Sequence, residues 1–223
     1  MNTNTWAMGF SSARYWEARY QQGGHSGAGS YGNLADYKAA FINAFIQSNE
    51  INSVLDFGCG DGNLLSLLRV PSYTGVDVSP TTLAACAKRF RARPNHYFHL
   101  FDALQPNDHA ELTLSIDVIF HLIEDSVFRN YQAALFTRAA KYVLVYASNT
   151  DQAWPDAHVR HRRFTDSIAR DFPDWRLAAH LPNPYAYRPQ QPETTSFADF
   201  FVYAKITAHG DGAPCILTLP ANT

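Results

Sequence analysis

Ile51-Asn52-Ser53-Val54-Leu55-Asp56-Phe57-Gly58-Cys59-Gly60-Asp61-Gly62-Asn63 reads as a buried strand, a glycine-rich turn and the start of a helix. The apolar run from Ile51 to Leu55 supplies the strand. Glycine has no Cβ and tolerates positive φ, so such a turn can bring main-chain N–H groups close to a ligand. A dinucleotide-binding turn has the form G-x-G-x-x-G, its third glycine three places after the second. Here Asn63 holds that place and the third glycine comes early, at Gly62. Two acids, Asp56 and Asp61, precede and occupy the turn. Carboxylates repel a pyrophosphate and attract a cation, so the turn suits a positively charged ligand.

Further apolar runs follow, each ending in polar residues. Tyr73 to Val78 contains Asp77, 21 residues after Asp56, where an acid accepts hydrogen bonds from a ribose diol. Ser79-Pro80 then caps and starts a helix. Tyr97 to Phe101 ends at Asp102-Ala103, where a carboxylate can accept from the exocyclic amine of adenine. Ile116 to Phe120 ends at His121-Leu122, and Tyr142 to Tyr146 ends at Ser148-Asn149. In open α/β sheets ligands bind at the carboxyl ends of strands. S-adenosylmethionine, with a sulfonium, an α-ammonium and no phosphate, fits this pattern better than NAD.

VLDFGCGDGNLL, GVDVSP, FDAL and IDVIFHL, in that order over roughly residues 50–150, resemble the motifs of class I S-adenosylmethionine-dependent methyltransferases. The resemblance implies an α/β, Rossmann-like fold: a seven-stranded, mostly parallel sheet with a C-terminal antiparallel hairpin and an N-terminal helical lid. Trp175 to Leu181 and Phe197 to Ile206 fit the hairpin. The expected organisation is a lid segment over 1–34, a methyltransferase domain over 35–208 and a tail over 209–223. Asp56, Gly58 and Gly60 would floor the methionine side, Asp77 and Val78 the ribose, and Asp102 and Ala103 the adenine. Asn63 and the two turn acids disfavour an NAD-dependent oxidoreductase.

Eighteen basic against 20 acidic side chains give a formal charge of −2, which is no footprint for a DNA or RNA binder. The 46% apolar content suits one globular domain with a substantial core. Cys59, Cys86 and Cys215 are too widely spaced for a zinc site or a disulfide framework. No apolar stretch approaches membrane-spanning length and no signal-peptide order opens the chain, so a cytoplasmic protein is expected. Helices are expected over 35–49, 125–140 and 164–172, with loops over 21–33 and 182–195.

The acceptor side is read from three places. Tyr15, Trp16 and Arg19 lie on a segment that either packs on the sheet edge or closes over the cofactor, where Arg14 or Arg19 could meet its carboxylate. The glycine-rich stretch beyond it ends near Tyr31, a candidate substrate contact. His121 either acts as a general base or walls the adenosine pocket. Asn149, His158, Arg160 and Arg162 follow the fifth strand, where substrate loops lie; the bland reading of the basic cluster is a solvated helix start. Glu124, Asp125, Asn149 and Asp151 could instead hold Mg²⁺, although acids also favour helix starts; the favoured reading has no metal. The Asn/Asp-Pro-Pro-Tyr signature is absent after strand four, which argues against amino-group methylation of DNA bases and of glutamine side chains. Methyl transfer to an oxygen of a small-molecule or glycan-like acceptor is therefore expected, the alternatives being a non-catalytic cofactor-binding protein or an enzyme acting on RNA or protein.

Overall fold

Strand β4 (Ala110–Ile116) sits at the centre of a seven-stranded sheet of order β3-β2-β1-β4-β5-β7-β6. The chain is described by a computed structural model, over residues 9–206. The expected tail over 209–223 lies outside the described residues. Strands β1 (Ser53–Phe57), β2 (Ser72–Asp77), β3 (His96–Leu100), β4 and β5 (Ala139–Ala147) run parallel. β7 (Asp199–Lys205) is antiparallel both to β5 and to β6 (Trp175–Leu181), which gives the C-terminal antiparallel pair. This is the arrangement that the resemblance implies.

Helices cover both faces. Along α2 (Gly32–Ser48), Leu34, Phe41, Ile42 and Phe45 form a buried stripe at helical spacing. Phe41 packs 4.4 Å from Phe200 and Phe45 5.3 Å from Tyr142, centroid to centroid, so α2 covers β7 and β5. On the opposite face, α5 (Asp125–Thr137) sets Phe136 5.3 Å from Tyr203, and α6 (Phe164–Asp171) sets Phe164 5.0 Å from Phe201. The remaining helices are α1 (Ser12–Gln21), α3 (Asn63–Leu67) and α4 (Pro80–Arg89). Ser79 caps α4 through a hydrogen bond from the Thr82 amide, and Pro80 opens it. Among the described residues no helix is long and apolar enough to cross a membrane.

Two strand positions differ from the expectation. The first strand spans Ser53–Phe57 rather than starting at Ile51, which places Asp56 inside it. The fourth spans Ala110–Ile116, and residues 119–121, expected within or at the end of a strand, form a short 3-10 turn. The fourth strand was masked by polar residues that are nonetheless buried. Thr113 Oγ1 donates to the Leu135 carbonyl at 3.0 Å, and Ser115 Oγ pairs with Tyr131 Oη at 2.8 Å. With those groups satisfied, a strand containing Thr and Ser can sit in the middle of the sheet.

Candidate active site

A cavity of about 290 Å³ opens at the carboxyl edge of β3, β2, β1 and β4. Phe101 and Asp102 line it beyond β3, Asp77 and Val78 at β2, Gly58 and Gly60 beyond β1, and Asp117, Val118 and His121 beyond β4. Trp16 and Tyr20 of α1 and its neighbour Ser26 close it from above. Trp16, Gly58, Gly60, Asp77, Val78, Asp102 and His121 are therefore gathered as the sequence reading expected, whereas Tyr15, Arg19, Asp56 and Ala103 are not among the lining residues. Ser26 and Asp117 carried no signal in the sequence that set them apart, and Glu124 was considered there only as a metal ligand.

The glycine turn owes its composition to the protein around it. Gly58 adopts φ 79°, and a Cβ there would meet Val118 Cγ2 at 2.5 Å. Gly60 adopts φ 55°, and a Cβ there would meet Ser26 Oγ at 2.3 Å. Packing against β4 and the cover, in addition to any ligand approach, requires glycine at both. The two turn acids also differ from the expectation. Asp56 is buried behind the turn and accepts from Tyr73 Oη at 2.7 Å; burial raises its pKa to about 6. Asp61 faces the cover, accepting from the Ser26 amide at 2.9 Å and Tyr31 Oη at 2.7 Å. Tyr31 is thereby a tether of the glycine-rich segment, outside the cavity.

Among the described residues four carboxylates line the cavity, Asp77, Asp102, Asp117 and Glu124, and no lysine or arginine does. Asp77 Oδ2 accepts from the Gly60 amide at 3.0 Å and Oδ1 from the Ser79 amide at 2.9 Å. Burial raises its pKa to about 6 against the lowering effect of those amides.

His121 is held by its neighbours on several sides. Nδ1 lies 2.9 Å from the His158 carbonyl oxygen, and the His158 ring stacks on it at 5.3 Å. Tyr15 stacks on His158 in turn at 4.9 Å, and Trp16 meets His121 edge-on at 4.9 Å. Burial pushes the His121 pKa down to about 3. A carbonyl only accepts, so Nδ1 carries the proton and Nε2 keeps its lone pair in a neutral ring. Tyr15 and His158, expected at cofactor and substrate, thus brace His121.

Helix α1 is strapped across the mouth. Ser12 donates to Glu124 through its amide at 2.9 Å and its hydroxyl at 2.5 Å. Glu17 accepts from Ser79 Oγ at 2.5 Å and Thr81 Oγ1 at 2.6 Å. Arg19 turns to the His25 carbonyl at 2.7 Å, away from the role of carboxylate clamp. Beneath the cover, Lys38 forms an ion pair with Asp117 and donates to the Gly29 carbonyl at 2.6 Å.

The basic segment after β5 serves the same scaffold. Arg160 and Arg162 reach the carbonyl of Ile123 at 2.7 and 2.8 Å and pair with Asp125 at 3.0 and 3.1 Å. They line a second hollow beside α5 and α6 and are not among the residues lining the first cavity. Asn149 bonds Thr165 at 2.9 Å, and Asp151 pairs with Arg163 at 3.7 Å. The four oxygen donors considered for Mg²⁺ are thus dispersed onto Ser12, Arg160 and Arg162, Thr165 and Arg163. Among the described residues no three His, Cys, Asp or Glu side chains converge as a metal group.

A family model described as a methyltransferase domain matches residues 55–156. A search of the curated proteins gives no match. Among solved structures, the methyltransferase domain of bacterial CtHen1-C is similar, at 21% identity and TM-score 0.60, covering 78% of this chain and all of that one. The N-methyltransferase NodS from Bradyrhizobium japonicum WM9, in complex with S-adenosyl-l-homocysteine, is 12% identical, with TM-score 0.60 over 77% of this chain and 87% of that one. Magnesium protoporphyrin IX methyltransferase (ChlM) from Synechocystis PCC 6803, with bound SAM, is 12% identical, with TM-score 0.62 over 89% and 99%. The domain match and the fold together make the chain similar to the class I S-adenosylmethionine-dependent methyltransferases.

Proposed function

We propose that this protein transfers a methyl group from S-adenosylmethionine to an oxygen of a small-molecule or glycan-like acceptor. The observation that carries the donor half is the charge of the cavity: among the described residues four carboxylates and no lysine or arginine line it. Such a site favours a cationic ligand and disfavours a pyrophosphate. When bound, the donor supplies an activated methyl group on a sulfonium, so the protein's work is alignment and exclusion of water.

Asp77 receives the ribose hydroxyls while its amide bonds hold it in place, and Asp102 with Phe101 takes the adenine. The Gly58–Gly60 main chain supports the amino-acid end. Trp16 and Tyr20, held down by the strap, exclude solvent from the transfer point. The bound donor would supply a methyl group that leaves sulfur with its bonding electrons, and the cavity walls would hold the acceptor oxygen in line with it. Where the acceptor is a hydroxyl, its proton would go to Nε2 of His121, which is unprotonated at neutral pH and made a weak base by burial.

Two measurements test this reading. Calorimetric titration should show binding of S-adenosylmethionine and none of NAD; tight NAD binding overturns the donor assignment. Release of S-adenosylhomocysteine should depend on a hydroxyl-bearing small molecule. Cofactor binding with turnover only on RNA or protein, or with no turnover on any acceptor class, would overturn the acceptor half.

A further inference from the structure

Lys38 is 1% exposed, on a helical stripe whose other buried positions are Leu, Ala, Phe and Ile. Its ammonium is fully engaged: it meets the Gly29 carbonyl, Asp117 Oδ2 and the face of Tyr146, 5.1 Å from the ring centroid. Asp117 is itself unusual. It adopts φ 59°, one of two non-glycine residues with positive φ among the described residues, and its amide donates to the Tyr146 carbonyl at 2.9 Å. A left-handed non-glycine residue and a buried ion pair are both disfavoured relative to a relaxed, apolar alternative. The fold gains little from either, yet together they fix a carboxylate at the carboxyl end of the central strand, in the wall of the cavity. Oδ2 belongs to Lys38, while Oδ1 makes no hydrogen bond among the described residues.

The place of this carboxylate suggests its use. Asp102, Asp77 and the glycine turn occupy the β3, β2 and β1 portions of the edge, the stretch assigned above to the donor. Asp117 stands next along, just beyond β4, and His121 lines the same cavity. Among the described residues no lysine or arginine lines the cavity to offset its charge, and Lys38 lies behind it.

Resting on the donor reading above, we propose that Asp117, braced by Lys38, docks the acceptor at the point of transfer. Its Oδ1 receives an O–H or N–H from an acceptor group that is uncharged or cationic, and carboxylate and phosphate groups are turned away. This narrows the acceptor class: hydroxyl-rich or amine-bearing molecules fit, and acidic ones do not.

Sinefungin is a direct probe. It is an S-adenosylmethionine analogue that carries an amine-bearing carbon in place of the methyl-bearing sulfur, so it presents an ammonium where the methyl group would leave. Calorimetric titration of sinefungin and of S-adenosylhomocysteine, into the wild type and Asp117→Asn, reads the contact without any knowledge of the acceptor. Asparagine keeps the size and tolerates the left-handed backbone. In the wild type, sinefungin should bind on the order of tenfold more tightly than S-adenosylhomocysteine. In D117N that preference should shrink toward unity while S-adenosylhomocysteine affinity changes by less than about threefold. Equal losses of both ligands would place Asp117 at the shared amino-acid end and overturn the proposal, as would a preference that survives the substitution. If neither ligand binds the wild type, the donor reading itself falls, which is a separate result. Should D117N fail to fold, the double variant Lys38→Met with Asp117→Asn removes both charges and is titrated in its place, with the same outcomes.

Discussion

His121 Nδ1 lies 2.9 Å from the main-chain oxygen of His158, and that contact fixes which nitrogen of the ring can take a proton. His121→Ala should retain S-adenosylhomocysteine affinity within about twofold and lose roughly 10²- to 10⁴-fold in turnover on a hydroxyl acceptor. Titration calorimetry and a product-release assay separate the two effects. Unchanged turnover would make the ring a wall of the pocket.

The same histidine shapes acid stability. Its folded pKa, about 3, is depressed from the ordinary value of 6.5. The neutral-ring stability is present above pH ~6.5 and is lost as pH falls from there towards 3. Asp56 and Asp77, both raised to about 6, act in the opposite sense: stability present below pH ~4 is lost as pH rises through 6. The difference in melting temperature between wild type and H121A should therefore shrink steadily from pH 7 to pH 4. A constant difference would mean that His121 is not buried neutral.

Asp77→Ala should weaken S-adenosylmethionine binding by about 1.5–3 kcal/mol, through loss of charged hydrogen bonds. Since the carboxyl titrates near 6 in the free protein, wild-type affinity should also rise as pH increases through 6. Asp77→Asn should lack that rise. Equal affinity in all three proteins would remove Asp77 from the ribose.

Lys38→Met leaves Asp117 without its cation and should destabilise the fold by about 3–5 kcal/mol. Adding Asp117→Asn should return part of that loss, a coupling that denaturant melts can measure as a double-mutant cycle. Strictly additive effects would show the pair to be energetically idle.

Gly60→Ala forces a Cβ to within 2.3 Å of Ser26 Oγ at φ 55°. A loss of roughly 1–3 kcal/mol is expected, together with faster hydrogen exchange in residues 25–31. Protection unchanged in that segment would show that the turn and the cover are not in register.

The sheet was legible in the sequence because its strands punctuate themselves. Asp77, Asp102 and Asn149 each follow an apolar run, and all but the fourth strand stand close to where those runs place them. β4 was misplaced because Thr113 and Ser115 look solvent-facing, and their buried hydrogen bonds form with residues 22 and 16 positions away. The site was partly legible for a related reason. Asp56 and Asp61 suggested a cationic ligand, but Tyr73 and the Ser26 segment take both of them. The charge of the cavity comes instead from Asp77, Asp102, Asp117 and Glu124, the last two on a linker that only the fold brings to the edge. Arg160 and Arg162 resembled ligand donors because a sequence cannot show that Asp125 and two carbonyls already occupy them.

Helix α1 is fastened at Glu124 on one side of the mouth and at Ser79 and Thr81 on the other. Anything that enters or leaves must wait for one of those fastenings to open. Residence time of the spent donor is then a property of Glu17 and Ser12 as much as of the pocket beneath them. Glu17→Gln should hasten S-adenosylhomocysteine departure in stopped flow, whereas arrival and departure unaffected by it would mean that the exit lies elsewhere. If departure limits the catalytic cycle, the ceiling on throughput is set at the doorway, by the bonds that fasten α1.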